Sequence, residues 1–348
     1  MSPDRFELAR RNAQEVVLGE ELEALLARGG RPKAYVGFEP SGLVHTGHII
    51  VADKIRDLVD AGFEFTLFIA DWHAFINDKF GSDIEKIRVC GKYFEDCFEA
   101  LGVDRSRIKL VYADDLIQSK RYWESVLRIS KSTSLARMKR AMTIMGRKEE
   151  DADLDSSKLI YPAMQVADIF EMDIDLALGG MDQRHAHMLM RDVAPKLGKK
   201  KAVALHTPLL TGLQGGGRMD FESKMSKSKP DSCIYIHDPP EEIKRKVNKA
   251  FCTPQQLDGN SVIEHWKYLI FNRHEEVRIE RDERFGGPLT VKSFEELARL
   301  YSSEQLHSQD LKGATAHCID ELLAPVRKYF EARPDNYRAV RELTAGKK

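Results

Sequence analysis

Short runs of β-branched and aromatic residues alternate with amphipathic stretches from Lys33 onward, and this alternation constrains the fold more than any other feature of the chain. Five such runs can be recognised, at 34–38, 63–70, 108–113, 174–178 and 201–206. The segments between them show helical periodicity. Strands that alternate with helices form a parallel sheet with helices on both faces. The sequence therefore predicts a doubly wound α/β fold, with ligands bound outside the carboxyl ends of its strands.

The strand pattern ends near the Pro239-Pro240 pair, and this change predicts a second domain. Beyond it, helices are expected at 240–251, 261–272, 292–302 and 308–331. A long helical insertion (115–172, "the insertion") separates the third and fourth strands, and one of its helices is expected to begin near Ser157. The predicted organisation is an N-terminal helical segment over 1–32, an α/β domain over 33–235 and an all-α domain over 236–348.

The charge balance excludes a global field that would attract a polyanion. The chain has 54 Lys and Arg against 55 Asp and Glu, so any nucleic acid must be bound by a local patch. One such patch lies in the insertion, where 128–148 carries seven basic residues and no acidic one. A solvated helix face is the alternative interpretation of this segment.

The cysteines and the N-terminus predict the compartment. The five cysteines are scattered and form no CxxC pair, which argues against a disulfide framework and against a zinc site. The first twelve residues are charged where a signal peptide needs an apolar core, and no apolar stretch approaches the roughly 18 residues of a membrane span. We therefore expect a cytoplasmic protein without membrane contact.

Two histidines, His45 and His48, lie where the loop after the first strand becomes a helix. Both imidazoles and the free N–H groups of the helix start can face one anion there. Gly47, between them, allows a phosphate or a base to approach the backbone closely. An isolated pair of this kind is more often a helix cap or a packed surface group.

A second cluster lies far downstream, where the glycine run 215–217 precedes Lys224-Met225-Ser226-Lys227-Ser228. Glycines make a loop mobile, and lysines on a mobile loop can follow charge as it moves onto a leaving pyrophosphate. Such clusters are usually only solvated. The order of the two motifs, after the first and the last strand of a doubly wound pattern, favours a functional interpretation.

A polar stripe marks the last helix of the insertion. Tyr161, Gln165 and Asp168 are spaced i, i+4, i+7, which places them on one helical face among apolar neighbours. Such a stripe either faces a polar ligand or belongs to an internal hydrogen-bond network. The spacing alone leaves both possibilities open.

Taken together, these motifs resemble the class I aminoacyl-tRNA synthetases. HTGH (45–48) matches the HIGH signature and 224–228 matches the KMSKS signature. Within that class, YVGFEPSG, ADWHA, IYPAMQVADI and GGMDQRHAHM look like the tyrosyl-tRNA synthetases of the archaeal and eukaryotic type, at 35–42, 70–74, 160–169 and 179–188. The pattern departs at Lys227, where archaeal and eukaryotic members often have serine. The resemblance implies a Rossmann-like catalytic domain and a helical anticodon-binding domain.

The resemblance also implies the reaction and its partners. L-tyrosine would react with ATP to tyrosyl-adenylate and pyrophosphate, and the tyrosyl group would then pass to the 3′ end of tRNA(Tyr). ATP would act as a substrate with Mg²⁺, without a tightly bound cofactor or a metal site of the protein's own. The insertion would form the two-fold contact of a homodimer and flank the acceptor stem.

Individual roles follow from the resemblance residue by residue. The catalytic residues would be His45, His48, Lys224 and Lys227. The tyrosine site would comprise Tyr35 and Asp168 at the phenol, Tyr161 and Gln165 at the α-amino group, and Glu39 and Gln183. The ATP site would comprise Gly37, His45, Gly47, His48, Met225, Ser226, Lys227 and Ser228. Contacts to tRNA would come from Arg184 at the acceptor stem and from Phe285, His307 and Asp310 at the anticodon. Asp71 and His73 are further candidates for polar contacts.

Three alternatives compete with this hypothesis. A tryptophanyl-tRNA synthetase shares the fold, but an indole is only a donor, whereas Tyr35 with Asp168 suits a phenol. A phosphopantetheine-type nucleotidyltransferase shares the HxGH pattern but is shorter and lacks KMSKS. A non-catalytic RNA-binding paralogue commonly loses the signature histidines or lysines, which are all present here.

Overall fold

The structure is a computed structural model that describes residues 4–146, 155–215 and 230–345. The chain divides into two compact units. The first unit consists of residues 1–42, 51–208 and 335–348, and the second of residues 43–50 and 209–334.

A six-stranded sheet forms the centre of the first unit. Its strands are β1 (Glu15–Val17), β2 (Lys33–Phe38), β3 (Glu64–Ile69), β4 (Ile108–Tyr112), β5 (Leu176–Gly180) and β6 (Val203–Thr207). The spatial order is β1-β6-β5-β2-β3-β4, and every neighbouring pair is parallel except β1 with β6. The predicted doubly wound sheet is therefore confirmed. The strand order reverses between β2 and β5, which is where such sheets bind ligands.

Within the described residues, ten α-helices precede β6 in the chain. They are α1 (Arg5–Arg10), α2 (Gly19–Ala27), α3 (Gly47–Asp60), α4 (Asp71–Ile76), α5 (Ile84–Ala100), α6 (Ala113–Ile117), α7 (Lys120–Lys131), α8 (Leu135–Ala141), α9 (Ser157–Glu171) and α10 (Arg184–Val193). The start of α9 agrees with the prediction. One apolar cluster joins the sheet to the insertion and to α10, and it includes Tyr35, Phe68, Val126, Ala167 and Met190.

The second unit is mainly helical. It contains α11 (Pro240–Lys249), α12 (Ser261–His265), α13 (Phe294–Ser302) and α14 (Ser308–Ala332). The helix predicted over 261–272 is shorter, because α12 passes into a π-helical turn at Trp266–Ile270. Trp266 is fully buried there and donates to Thr315 at 2.7 Å, as ordinary packing requires.

Three features differ from the predicted organisation. The segment 1–32 is not purely helical, because β1 pairs with β6. The second unit is not all-α, because β7 (Val277–Ile279) and β8 (Leu289–Val291) form an antiparallel hairpin. The last helix, α15 (Asp335–Ala345), belongs to the first unit.

Side chains explain why α15 packs on the first unit. Tyr337 stacks on Tyr93 of α5, with ring centroids 6.2 Å apart, and Asn336 donates to Asp96 at 2.8 Å. The first unit is therefore discontinuous in sequence.

Across the described ranges, no helix is both long and apolar enough to cross a membrane. All five cysteines are free thiols.

Candidate active site

Eight polar side chains meet in the first unit beside the switch point of the sheet, and we call them the switch-point cluster. They are Tyr35, Glu39, His73, Tyr122, Tyr161, Gln165, Asp168 and Gln183. They come from six parts of the fold: β2, the loop after it, α4 after β3, α7, the turn after β5, and α9, which carries three of them. The structure thus brings together all six side chains predicted for the tyrosine site.

A partly buried carboxylate, Glu39, forms one end of the cluster. The Tyr161 hydroxyl donates to it at 2.5 Å, and the Asn77 amide lies 2.9 and 3.0 Å from its two oxygens. Asn77 also donates to the Met145 carbonyl at 3.1 Å, and Lys79 lies 3.5 Å from the carboxylate. Burial, and then the charge of Glu39, raise the pKa of Tyr161 well above its ordinary value. The Tyr161 hydroxyl therefore stays protonated and donates a hydrogen bond to Glu39 at any physiological pH.

A second carboxylate, Asp168, forms the other end and is only 1% exposed. The Tyr122 hydroxyl donates to its Oδ1 at 2.9 Å, and His73 Nε2 lies 3.1 Å from its Oδ2. The His73 contact has ion-pair distance but lies off the N–H direction, so we treat it as an ion pair rather than a directed hydrogen bond. Burial opposes the charged imidazole, but Asp168, Glu39 and Asp71 outweigh it and raise the pKa of His73.

Two amides lie between these ends. Gln165 donates to Gln183 at 3.2 Å, and Gln183 donates to the Ile144 carbonyl at 3.3 Å. The carbonyl oxygen of Gln165 is buried and has no hydrogen-bond partner within the described part of the chain. A buried acceptor without a partner costs free energy unless a ligand supplies a donor.

Tyr35 lies in the middle of β2 and is 2% exposed. Burial, and then the charge of Asp168, raise the pKa of its phenol, so it stays protonated. Its ring packs edge-on against Phe68 at 6.3 Å, and Phe68 packs edge-on against His73 at 6.1 Å. These contacts restrict the rotamers of the cluster.

The HTGH loop opens α3 and belongs to the second unit. The His45 and His48 rings meet edge-on with centroids 4.4 Å apart, and the Gly47 N–H donates to His45 Nδ1 at 3.1 Å. A Cβ at Gly47 would lie 2.9 Å from the His45 ring, so the close packing of the loop requires glycine. Thr46 is buried, with its hydroxyl 3.4 Å from His265 Nε2.

The KMSKS residues, Lys224, Met225, Ser226, Lys227 and Ser228, lie outside the described residues. The chain that follows them does meet the HTGH loop. His45 and Tyr235 form an isolated antiparallel bridge, and the Thr46 N–H donates to the Ile234 carbonyl at 2.9 Å. The Leu213 N–H donates to the Ser232 carbonyl at 2.9 Å, so the chain on either side of residues 216–229 is joined.

The other residues predicted to contact ATP or tRNA lie at several places in the fold. Gly37 is an exposed residue of β2. Arg184 begins α10 and donates to Glu15 at 2.9 Å. Phe285 is 66% exposed at the turn of the β7–β8 hairpin. His307 caps α14 and Asp310 lies in its first turn. The second-unit residues are not part of the switch-point cluster.

The sequence prediction missed Tyr122, a member of the cluster, and Asn77, which donates to Glu39. Asn77 follows α4 and Tyr122 lies in α7, and neither stands in a motif or a periodic pattern that would single it out. Within the ranges that the structure describes, no group of three or more His, Cys, Asp and Glu side chains could hold a metal ion.

Comparisons with known proteins agree with one another. The family model for tRNA synthetases class I (W and Y) matches residues 27–324. The chain is 49% identical to the tyrosine–tRNA ligase of Sulfurisphaera tokodaii, over 99% of this chain and 97% of that one. It is 44% identical to the crystal structure of tyrosyl-tRNA synthetase from Aeropyrum pernix, with a TM-score of 0.89 and 98% of each chain covered. The tyrosyl-tRNA synthetase of Pyrococcus horikoshii, solved with L-tyrosine, is 40% identical with a TM-score of 0.91, over 97% and 98%.

Proposed function

Because the chain belongs to the tyrosyl-tRNA synthetases, we propose that its switch-point cluster binds L-tyrosine and that its HTGH loop binds the phosphates of ATP. Enzymes of this family activate tyrosine with ATP and then transfer it to tRNA. The observation that carries the proposal is the buried Asp168, which lies on the same face of α9 as Tyr161.

Asp168 and Tyr35 recognise the tyrosine phenol in this proposal. A phenol donates one hydrogen bond and accepts others, so a carboxylate acceptor and a protonated tyrosine donor complement it. Phenylalanine would leave the hydrogen bonds that these two buried groups make to the phenol unmade. A site built to bind a hydroxyl rejects the analogue without it by about 10⁴- to 10⁵-fold, a range for which tyrosyl-tRNA synthetase is itself the known example.

Glu39, Tyr161 and Gln165 bind the α-ammonium group. The ammonium has three donors, and the unpaired Gln165 oxygen and the Glu39 carboxylate are acceptors for them. The tyrosine enters in this arrangement with its phenol toward Asp168 and its α-amino group toward Glu39. The internal hydrogen-bond network and the ligand site are thus the same set of residues.

The first chemical step needs no nucleophile from the protein. The tyrosine carboxylate, ionised at neutral pH, forms a bond to the α-phosphorus of ATP while the bond to the β-phosphate oxygen breaks and pyrophosphate leaves. Catalysis is then positioning and charge stabilisation. His45 and His48 stabilise the α-phosphate charge. Gly37 and Gly47 give the nucleotide room, and the segment from Lys224 to Ser228 holds the departing pyrophosphate.

Mg²⁺ accompanies ATP in this proposal rather than binding to the HTGH loop. Mg²⁺ is a hard cation that prefers phosphate, carboxylate and water oxygens. The HTGH loop offers two imidazoles, which suit an anion. When bound, Mg²⁺ offsets phosphate charge, while the residues of the chain orient the nucleotide.

In the second step the 3′-terminal hydroxyl of tRNA(Tyr) displaces AMP from the adenylate. Arg184 supports a contact to the acceptor stem, because Glu15 fixes only its Nε and its side chain is 40% exposed. Phe285 supports an anticodon contact, because an exposed ring can stack on an unpaired base. We propose that His307 and Asp310 contact the anticodon at the same end of the second unit, where Arg281 of the hairpin donates to the Gln305 carbonyl at 2.9 Å.

We also propose that the protein works in the cytoplasm, which suits both this chemistry and the five free thiols.

The insertion supports a homodimer. Monomers rarely expose a large contiguous apolar patch, and four of the six exposed large apolar side chains in the described residues lie in the insertion: Trp123, Leu127, Leu135 and Ile160. Leu127→Glu should convert a dimer into a monomer in light scattering at micromolar concentration. Leu18→Glu, at an exposed leucine outside the insertion, is the matched control. A fully active monomeric wild type would contradict the dimer.

Pyrophosphate exchange measured with each of the twenty amino acids tests the proposed function directly. Exchange should depend on tyrosine and on ATP. Exchange with tryptophan instead would assign the cluster to an indole, and the absence of exchange with any amino acid would reject a catalytic role.

A further inference from the structure

His73 is a buried histidine that contacts both ends of the switch-point cluster. The side chain of His73 belongs to a residue that is only 1% exposed, and its Nε2 lies 3.1 Å from Oδ2 of Asp168 at the phenol end. Its ring meets Tyr161 edge-on, with centroids 5.0 Å apart, at the Glu39 end. The proposed function so far gives it no task.

We infer that His73 is a positioning residue that keeps Asp168 a hydrogen-bond acceptor and thereby sets the preference for tyrosine over phenylalanine. The inference rests on the proposed binding of the tyrosine phenol by Asp168. A carboxylate removed from water takes up a proton unless a cation or several donors compensate its charge. A protonated Asp168 would present its own hydroxyl as a donor and would lose acceptor capacity toward the phenol.

The partners of Asp168 identify His73 as the compensating charge. Tyr122 donates to Oδ1 at 2.9 Å, but it is neutral, and burial followed by the charge of Asp168 raises its pKa further. Among the described residues, His73 is the one cationic side chain paired with Asp168. Removing it would leave a buried carboxylate with a single neutral donor.

The groups around His73 favour its charged form. Asp168 faces it from α9, Glu39 acts on it from the loop after β2, and Asp71 acts from the first turn of α4, all three with negative charge. Among the described residues, its ring contacts are neutral: the Tyr161 ring from α9 and the Phe68 ring from β3, while Tyr122 of α7 contacts it through Asp168. Asp71 is itself paired with Arg88, at 3.5 Å, and the direct ionic contact of His73 is with Asp168.

Three substitutions in the full chain separate charge from shape. His73→Phe keeps a ring but removes the charge, and His73→Gln keeps a neutral donor. Tyr122→Phe removes the other donor to the same carboxylate and leaves the ion pair. For each, kcat/KM in pyrophosphate exchange is measured with tyrosine and with phenylalanine between pH 6 and pH 9, and folding is checked by thermal melting.

His73→Phe should lower kcat/KM for tyrosine by about 100-fold, the general scale for removing one partner of a buried ion pair. Its kcat/KM for phenylalanine should stay unchanged, because that substrate makes no hydrogen bond to Asp168. The tyrosine value should recover as pH rises, since alkaline solution removes the proton that Asp168 has gained. His73→Gln should lose about tenfold in the tyrosine-to-phenylalanine ratio, and Tyr122→Phe should show no new pH dependence.

Equal losses for tyrosine and phenylalanine in His73→Phe, or a pH profile identical to the wild type, would reduce His73 to a packing residue and overturn the inference. If His73→Phe does not fold, His73→Gln decides in the same way: an unchanged substrate ratio overturns it. Failure of the proposed function is distinguishable, because the wild type would then lack tyrosine-dependent exchange altogether.

Discussion

Removing the Tyr161 hydroxyl should weaken tyrosine binding without slowing the chemistry. In Tyr161→Phe, Glu39 loses the 2.5 Å hydrogen bond but keeps the two contacts from Asn77. The substitution also removes the proposed hydrogen bond from the α-ammonium group to the Tyr161 oxygen. A hydrogen bond to a charged group contributes about 1.5–3 kcal/mol, and the remaining acceptors, Glu39 and Gln165, favour the lower end. About 1.5 kcal/mol corresponds to roughly a tenfold change in affinity.

The assay is pyrophosphate exchange with tyrosine and ATP varied separately. KM for tyrosine should rise about tenfold, while kcat and KM for ATP stay near their wild-type values, because the lost contact acts equally in the ground and transition states. The effect should be constant between pH 6 and pH 9, since burial and Glu39 keep the pKa of Tyr161 far above that range.

Tyr112→Phe provides a matched control. Tyr112 ends β4 and donates its hydroxyl to the carboxylate of Glu95, so this substitution removes the same kind of bond from the first unit away from the cluster. It should leave both KM values unchanged. If Tyr161→Phe raised KM for ATP as much as KM for tyrosine, or behaved like the control, the assignment of Tyr161 to the amino end would be refuted.

Three further predictions concern the two units. Replacing His45 and His48 together by alanine should slow exchange by about 10⁴-fold, since each donor to a transition-state oxyanion contributes about 10²-fold or more; near-normal turnover would remove the loop from catalysis. Phe285→Ala should weaken tRNA charging about ten- to a hundredfold, as expected for one lost stacking contact, and leave exchange intact; equal losses in both assays would make Phe285 structural. His187 is buried, and burial and then a neighbouring histidine hold its pKa well below the ordinary value of 6.5. The unfolded chain binds a proton at His187 more readily than the folded chain does. The free energy of unfolding should therefore fall as pH drops below about 6.5, by about 1.4 kcal/mol per pH unit. Urea unfolding at pH 7.5 and pH 5.5 should show a smaller difference in His187→Gln than in the wild type, and an equal difference would contradict this sign.

The strands β3, β5 and β6 could be predicted because they are buried on both faces and therefore read as nearly continuous apolar runs. The edge strand β1 could not, since three residues, one of them Glu15, form no such run. The β7–β8 hairpin has equally short strands. The position of α15 also depends on tertiary contacts, because nothing in its own sequence specifies Tyr93 as the stacking partner of Tyr337.

The candidate site also contains residues that the sequence could predict and residues that it could not. Tyr161 and Asp168 share a helical face, so local periodicity relates them directly. Asn77 lies 38 residues from Glu39 in the chain, and Tyr122 lies 46 residues from Asp168, so only the folded sheet and its helices bring these pairs together. A resemblance identifies motif residues, whereas the groups that orient them emerge from the packing.

The return of α15 to the first unit has a consequence for synthesis on the ribosome. Residues up to 208 leave the ribosome first, but the surface of α5 around Tyr93 and Asp96 waits for residues 335–345. Roughly 130 residues are made in between, which takes about 6 to 25 seconds at about 5 to 20 residues per second. During that time the nascent first unit exposes an uncovered helix face while the second unit is still being made. A chain that stops before residue 335 leaves this face uncovered permanently, which gives chaperones and proteases a surface by which to recognise the incomplete enzyme.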